Sequence, residues 1–307
     1  MQKQDKPRIA ISVGDLNGVG IEIALKCHKD VVSICEPVYC INSHMLEHAA
    51  KLLHVEIPQN VITSHVGGIF TIKPGQVDAT CGKYSHDSFM HAITLCKEKK
   101  AQAVVTMPIH KEAWMRAGLN YVGHTDLLRK LFKKDAIMML GCEQMYVALY
   151  TEHMPLKEVP KAISEEKLFT FFMNFHKSIG DEKVAVLGLN PHAGDNGVLG
   201  NEEKEIEKAI KRVNTLVGKE LFFGAVVPDI AFTPHFRKNY TYFIAMYHDQ
   251  GLGPLKALYF DESVNVSLNL PIIRTSVDHG TAFDIAYKNK ANTLSYMNAI
   301  KSALSFI

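Results

Sequence analysis

The stretch that decides the fold is RIAISVGDLNGVGIEIALKCHK, residues 8–29. Its first part, Arg8 to Val13, is a short apolar run that predicts a buried strand, and Ile21 to Lys29 predicts the helix that follows. Between them lies the turn-forming sequence Gly14-Asp15-Leu16-Asn17-Gly18-Val19-Gly20. A strand, a glycine-rich turn and a helix, in this order, form the repeating unit of α/β proteins.

The same order recurs along the whole chain. Further strands are predicted at 37–42, 103–106, 147–150, 184–189 and 243–247, and further helices at 45–53, 85–99, 111–117, 164–177, 202–217 and 293–307. Thr125 is expected to cap another helix, which carries Leu127, Leu128 and Leu131. Strands that alternate with helices predict an α/β protein with a largely parallel sheet.

Composition limits the class of protein. A chain of 307 residues is long enough for two domains, and 47% hydrophobic and 21% charged residues are typical of a soluble globular protein. The formal net charge of +2 gives no electrostatic reason to expect nucleic acid or an anionic membrane as a partner. The six cysteines show no C-x-x-C spacing, and the polar N-terminus resembles no signal peptide. We expect a cytoplasmic protein.

The first loop is not the fingerprint of a Rossmann dinucleotide site. That fingerprint is G-x-G-x-x-G, whereas the glycines here are spaced G-x-x-x-G-x-G. The next predicted strand ends in Asn42, where an acidic residue for the ribose would be expected. The loop is therefore either a tight strand-to-helix turn or a different kind of substrate or cofactor loop.

Three apolar runs each lead into a histidine within a turn-forming sequence. Val147–Tyr150 precedes His153, Val184–Leu189 precedes His192, and Phe243–Tyr247 precedes His248. If the runs are neighbouring parallel strands, the three imidazoles lie at the carboxyl edge of one sheet, where α/β proteins bind ligands. Three histidines with an open fourth position are typical of a catalytic divalent-metal site.

Other polar residues lie near predicted strand ends and helix starts. Asp249, next to His248, could bind a metal, orient a ring or act as a base. The start of a helix at His124 and Thr125 could bind phosphate or carboxylate, or could be an ordinary helix cap. Three residues farther along the chain, in largely apolar segments, favour an anionic ligand such as phosphate over a structural ion pair. These are Lys256, Asn265 and Arg274.

Two further segments carry weaker signals. Pro108-Ile109-His110-Lys111 places one more cation, Lys111, after a predicted strand. Asp278-His279-Gly280-Thr281-Ala282-Phe283-Asp284-Ile285-Ala286, followed by Asn292, is a polar loop that leads into a helix. Alone, this second segment predicts only a loop and a cap.

Taken together, these segments resemble the 4-hydroxythreonine-4-phosphate dehydrogenase family of pyridoxal phosphate biosynthesis. The motifs that carry the resemblance are GDLNGVG, PIHK, GHTDLL, LNPHAGD, MYHDQGL and IRTSVDHGTA, in family order between residues 14 and 282. The segment from His279 to Ala286 is also similar to the adenine-side loop of isocitrate and isopropylmalate dehydrogenases, which bind NAD or NADP without a Rossmann fingerprint. Ile21 and Gly253 differ from the residues common in the family.

The resemblance implies a fold and an organisation. The expected fold is α/β, with two α/β/α domains and a cleft between them, as in isocitrate and isopropylmalate dehydrogenases. One domain would comprise residues 1–125 and 275–307, with a cofactor loop at 278–292. The other, residues 126–274, would carry the metal, the substrate and the dimer contacts. The active site would form at the interface of a homodimer.

The resemblance also implies the roles of particular residues. His153, His192 and His248 would bind a divalent metal such as Zn, Mg or Co. The small phosphorylated substrate would be bound by His124, Thr125, Lys256, Asn265 and Arg274. NAD or NADP would bind near His279, Gly280, Thr281 and Asn292. Asp249 and Lys111 are the candidate bases.

These assignments predict an enzyme that oxidises a secondary alcohol. The substrate would be 4-phosphohydroxy-L-threonine, and the product, 2-amino-3-oxo-4-(phosphonooxy)butanoate, would decarboxylate to 3-amino-1-hydroxyacetone 1-phosphate. The alternatives are a dehydrogenase of a threonate or erythronate phosphate, a metal-dependent hydrolase or lyase that uses no NAD, and a non-catalytic metal-binding protein. The last would have no use for Lys256, Asn265 and Arg274.

Overall fold

The computed structural model describes residues 6–307 and confirms the predicted α/β class. The strands are β1 (Arg8–Ser12), β2 (Glu36–Cys40), β3 (Ile62–Ser64), β4 (Ala103–Thr106), β5 (Ile137–Cys142), β6 (Met145–Leu149), β7 (Val184–Leu187), β8 (Phe222–Val226), β9 (Tyr242–Ala245), β10 (Val264–Leu268) and β11 (Ile273–Val277). The helices are α1 (Gly20–Ile34), α2 (Ser43–Leu53), α3 (Ala79–Lys97), α4 (Lys111–Arg116), α5 (His124–Phe132), α6 (Val159–Ala162), α7 (Glu165–Ile179), α8 (Glu202–Val217), α9 (Pro228–Ala231), α10 (Pro234–Arg237), α11 (His248–Tyr259) and α12 (Leu294–Ser305).

The chain folds as two compact units. The first extends to Lys134 and includes residues 264–266 and 270–307, and the second comprises residues 135–263 and 267–269. Residues 126–134, 264–266 and 270–274, which were expected in the second domain, belong to the first unit. Helix α5 and Arg274 of β11 are therefore parts of one body.

The first unit contains a parallel sheet in the order β3-β2-β1-β4-β11. The chain moves outward from β1 through β2 to β3 and then returns to add β4 on the other side of β1. Because crossovers between parallel strands are right-handed, this reversal places the helices on both faces of the sheet. The reversal point between β1 and β4 is where sheets of this kind bind ligands, beyond the carboxyl ends of the strands.

The second unit also contains a largely parallel sheet, with a different strand order. Strands β5 and β6 form an antiparallel hairpin, and β6, β9, β7 and β8 follow as parallel neighbours. The last of these strands in the chain, β9, lies between β6 and β7. The three apolar runs that precede His153, His248 and His192 are therefore neighbouring parallel strands. A shared site at one sheet edge requires this arrangement.

Some local predictions differ from the structure. Strands β3, β5, β8, β10 and β11 were not predicted. The helix that Thr125 was expected to cap begins two residues earlier than expected, at His124, because its N-cap residue is Gly123. His248 is not in a turn, because it is the first residue of α11. Within residues 6–307, no helix is long and apolar enough to cross a membrane.

Candidate active site

Two of the predicted metal-binding histidines lie next to each other in the second unit. The ring centroids of His153, which follows β6, and His248, which follows β9, are 5.5 Å apart. Two imidazoles that bind one tetrahedral ion through their ring nitrogens have centroids about 5 Å apart. The spacing of this pair therefore fits two ligands of a single divalent ion.

The ring of His248 is oriented by its neighbour. Asp249 Oδ1 lies 2.7 Å from His248 Nδ1. Because a carboxylate accepts a hydrogen bond, Nδ1 carries the proton. The other ring nitrogen, Nε2, is then the one with a lone pair for a metal. The donor set fits a divalent metal, and the contact of Asp249 with Nδ1 is the one that an orienting carboxylate makes.

His192 lies on an exposed loop after β7. The loop is a 3-10 turn, Pro191–Gly197, and residues 192–196 all have positive φ, including His192 at 52° and Ala193 at 50°. Among residues 6–307, no three His, Cys, Asp or Glu side chains form a group that could hold a metal ion. One chain thus pairs His153 with His248 but does not complete a three-residue cluster with His192.

The first unit contains a buried basic corner. Arg274, on β11, is 2% exposed, and its Nη2 donates a hydrogen bond to Thr106 Oγ1 on the adjacent strand β4 at 2.7 Å. Burial lowers the pKa of Arg274 to about 9. The guanidinium is still protonated at neutral pH, but its charge is poorly solvated, which favours binding of an anion.

His124 lies close to this charge and is neutral. Burial lowers the pKa of His124 well below its ordinary value, and the positive charge of Arg274 lowers it further. The ring packs edge-on against Phe89, with centroids 4.6 Å apart. Its Nε2 atom is buried and has no hydrogen-bond partner in the described part of the chain. A buried nitrogen of this kind needs a ligand or water to bind.

The start of α5 completes the corner. Gly123, its N-cap residue, has no side chain with which to cap the first backbone N–H groups. Thr125 is half-buried in the first turn of the helix. A Cβ atom on Gly123 would lie 3.8 Å from Lys111 Cε, which places this lysine beside the helix start. We refer to Lys111, His124, Thr125 and Arg274 as the anion corner.

The remaining predicted substrate residues belong to two different bodies. Asn265, on β10 in the first unit, has a buried Oδ1 atom without a hydrogen-bond partner among residues 6–307. Lys256 lies in the second unit, on the helix that begins at His248. Burial lowers the pKa of Lys256, and its Nζ donates to Ser263 Oγ at 3.3 Å.

The predicted cofactor loop packs on the first glycine-rich loop. The Thr281 carbonyl accepts a hydrogen bond from the Val19 N–H at 3.0 Å, and a Cβ on Gly18 would lie only 2.8 Å from the same oxygen. Gly18 is therefore needed for a close approach of two backbones. The first loop supports the segment after β11 as well as turning the chain from β1 into α1.

The other predicted cofactor residues differ in exposure and in role. His279 and Gly280 are exposed, and a Cβ on Gly280 would meet open space. Asn292 accepts a hydrogen bond from the Leu294 N–H at 2.9 Å and so caps the start of α12. Phe283 stacks on His110, with centroids 4.8 Å apart and ring planes 9° from parallel. This stack fixes the loop to the residue that precedes Lys111.

Several side chains that support these sites were not predicted. Thr106 contacts Arg274, Thr151 and Gln250 contact the backbone beside His248, and Glu203 contacts the loop that carries His192. Each is a polar residue that is at most 9% exposed. A polar residue at the carboxyl end of an apolar strand, such as Thr106, is the one signal that could have indicated them.

The fold and these side chains define an α/β enzyme with a buried anion corner and imidazoles at the ends of parallel strands. A model of the family described as pyridoxal phosphate biosynthetic protein PdxA matches residues 33–303. The chain belongs to this family, which confirms the resemblance inferred from its motifs.

Individual relatives agree over nearly the whole chain. A 4-hydroxythreonine-4-phosphate dehydrogenase of Sulfurimonas denitrificans is 69% identical over 300 residues, which cover 98% of both chains. One from Campylobacter fetus is 56% identical and covers 97% of both. A crystal structure of a 4-hydroxythreonine-4-phosphate dehydrogenase from Burkholderia phymatum matches with a TM-score of 0.85 at 31% identity over 98% of both chains.

Proposed function

We propose that this protein is a cytoplasmic enzyme that oxidises 4-phosphohydroxy-L-threonine with NAD or NADP and a divalent metal such as Zn, Mg or Co. The observation that carries the substrate assignment is the 69% identity to a 4-hydroxythreonine-4-phosphate dehydrogenase over 98% of both chains. The oxidised product is a β-keto acid, 2-amino-3-oxo-4-(phosphonooxy)butanoate. Loss of CO₂ from it gives 3-amino-1-hydroxyacetone 1-phosphate, a precursor in pyridoxal 5′-phosphate biosynthesis.

The anion corner binds the phosphate group of the substrate. Arg274 supplies a buried positive charge, and the start of α5 supplies backbone N–H groups and the positive end of a helix dipole. His124 is neutral, so its Nε2–H tautomer donates a hydrogen bond without adding a further charge. Thr125 contributes a hydroxyl group. Asn265 and Lys256 bind other polar atoms of the same substrate.

His153, His192 and His248 hold the divalent metal, with His248 oriented by Asp249. When bound, the metal acts as a Lewis acid that lowers the pKa of the substrate hydroxyl group. Because one chain does not group all three histidines, we propose that the enzyme is a homodimer with its active site at the subunit interface.

Lys111 is our candidate for the general base. Asp249 is already hydrogen-bonded to His248, so proton transfer by Asp249 would disturb the ring that it orients. Lys111 lies beside the start of α5, where we propose that the substrate phosphate binds. The loop of His279, Gly280 and Thr281, with Asn292, would hold the nicotinamide cofactor, which would supply the hydride acceptor.

One assay tests the proposed reaction. Purified protein is mixed with 4-phosphohydroxy-L-threonine and NAD⁺ or NADP⁺, and formation of the reduced cofactor is followed by absorbance, with and without a metal chelator. We expect reduced cofactor only when metal is present. No reduced cofactor under any metal condition would contradict the dehydrogenase assignment. Threonate and erythronate phosphates in the same assay test the choice of substrate.

A histidine variant tests the metal assignment. His153→Ala removes one proposed ligand and is expected to abolish nearly all turnover while the protein remains a dimer. His235→Ala, at an exposed position in α10 of the same unit, is the matched control. Turnover of His153→Ala at the rate of the unchanged protein, or full activity of the unchanged protein in chelator, would contradict the metal assignment.

A further inference from the structure

Side chains bind both the backbone N–H and the carbonyl of Met246, two residues before His248. The N–H of Met246 donates to Gln250 Oε1 at 2.7 Å. The carbonyl of the same residue accepts hydrogen bonds from Thr151 Oγ1 at 2.6 Å and from the Thr151 N–H at 3.2 Å. Met246 thus connects the end of β9 to the end of β6, two residues before His153.

The amide group of Gln250 continues the connection to the third strand. Its Nε2 donates to the carbonyl of Gly188 at 2.7 Å, directly after β7. The two bonds fix the orientation of the amide, because its oxygen must face an N–H and its nitrogen must face a carbonyl. One side chain therefore joins the ends of β9 and β7, which lead to His248 and His192.

The loop that carries His192 is anchored from below. Glu203 Oε1 accepts hydrogen bonds from the N–H groups of Leu189 at 2.9 Å and Asn190 at 2.7 Å. A Cβ on Gly194 would lie 2.6 Å from Glu203 Oε2, so the loop closes tightly around this carboxylate. These contacts hold a turn whose positive φ angles are costly for His192 and Ala193.

These supporting side chains are buried, whereas the histidines are accessible. Thr151 is 5% exposed and Gln250 is 9% exposed. Their hydrogen bonds go to the backbone of Met246, after β9, and of Gly188, after β7. Buried side chains that hold the backbone beside a metal ligand are the ones that determine where its imidazole lies.

We propose that Thr151 and Gln250 are positioning residues that fix the strand ends from which His153, His248 and His192 extend, and so determine metal affinity. This inference rests on the proposed function, in which these histidines hold a divalent metal. Thr151 fixes the end of β6, which leads to His153, relative to the end of β9, which leads to His248. Gln250 fixes the end of β9 relative to the end of β7, which leads to His192.

The sharpest test compares two substitutions of Thr151. Thr151→Val keeps the shape but loses the hydroxyl group, whereas Thr151→Ser keeps the hydroxyl group and loses a methyl group. Metal-free full-length protein is titrated with Co²⁺, and binding is followed by calorimetry and by the visible absorption of the bound ion. We expect about ten- to a hundredfold weaker binding for Thr151→Val. For Thr151→Ser we expect a change of less than about threefold, because the hydrogen bond persists.

A second variant tests the other connection. Gln250→Met has a similar size but cannot bond to Met246 or Gly188, and it is expected to weaken Co²⁺ binding at least as much as Thr151→Val. Gln102→Met is the matched control, because Gln102 accepts a backbone hydrogen bond from Arg8 in the first unit. We expect no change in Co²⁺ affinity for this control.

The outcomes separate this inference from the proposed function. If the unchanged protein binds Co²⁺ and Thr151→Val and Gln250→Met bind it equally well, the positioning role is overturned while the metal assignment stands. A purely packing role would make Thr151→Ser weaker than Thr151→Val, and would also overturn it. If the unchanged protein binds no Co²⁺, both proposals fail. Thermal unfolding of each variant identifies any that does not fold, and the remaining variants then decide.

Discussion

The anion corner and the strand-end histidines differ in their exposure to solvent. Arg274 is 2% exposed and lies beside a neutral His124, so this region is desolvated before any ligand arrives. The side chain of His248 is 38% exposed and that of Asp249 is 90% exposed, so an ion can reach them from solvent. The low dielectric around the anion corner strengthens its electrostatic attraction for an anion. The positions of the histidines depend instead on hydrogen bonds from buried side chains such as Thr151 and Gln250.

Loss of the buried charge should have the largest effect. Arg274→Met removes the main positive charge of the corner, and we expect kcat/KM for the phosphorylated substrate to fall about a thousandfold, since a desolvated charged hydrogen bond contributes several kcal/mol. Steady-state kinetics measure the effect, with Arg116→Met, an exposed arginine of the same unit, as the control. A fall of less than fivefold would show that the corner is not the phosphate site.

Removing the orienting carboxylate should have the next largest effect. Asp249→Asn weakens the hold on His248 Nδ1, and we expect Co²⁺ affinity to fall about tenfold. Asp181→Asn, an exposed position in the same unit, serves as the control. A lower kcat with unchanged Co²⁺ affinity would instead support Asp249 as the general base.

The pH dependence of stability tests whether His124 in the anion corner is shielded from solvent. Because the pKa of His124 is lower in the folded state than the ordinary value near 6.5, the unfolded state alone takes up a proton below that pH. The free energy of unfolding therefore falls as the pH falls, by up to about 1.4 kcal/mol per pH unit from this residue. His124→Gln should remove that part of the slope between pH 6.5 and 5.

Urea unfolding at several pH values measures this slope. The unchanged protein, measured over the same pH range, gives the reference slope. An unchanged slope in His124→Gln would mean that His124 is protonated in the folded protein, and the corner would then bind phosphate with two charged residues.

The smallest effect is expected at the support of Arg274. Thr106→Val removes one neutral acceptor from the guanidinium, and a single such hydrogen bond contributes about 1 kcal/mol. We expect KM for the phosphorylated substrate to rise about fivefold with little change in kcat. Thr94→Val, an exposed helix residue, is the control. An equal fall in kcat would indicate that Thr106 acts on the reaction rather than on phosphate binding.

The parts of the fold that were predictable are those with strong local patterns. The runs before His153, His192 and His248 are apolar and end at turn-forming residues, so both the strands and the edge they share could be inferred. Five strands were missed, namely β3, β5, β8, β10 and β11. Two of them, β5 and β8, are interrupted by glycine, Gly141 and Gly224, and neither shows a clean alternation of polar and apolar residues.

The supports of the site could not be inferred from local pattern. Gln250 acts through a carbonyl 62 positions away in the chain, and Thr106 through an arginine 168 positions away. Neither partner is visible until the strand order is known. The start of α5 was predicted at the wrong residue because its N-cap, Gly123, has no capping side chain that a sequence pattern could show.

The most direct test of the division between the two regions is a pair of titrations on two variants. Calorimetry measures the binding of inorganic phosphate and of Co²⁺ to Arg274→Met and to His248→Ala. We predict that Arg274→Met loses phosphate binding and keeps Co²⁺ binding, and that His248→Ala loses Co²⁺ binding and keeps phosphate binding. Loss of both ligands in either folded variant, or of neither, would contradict the assignment of phosphate to one region and metal to the other.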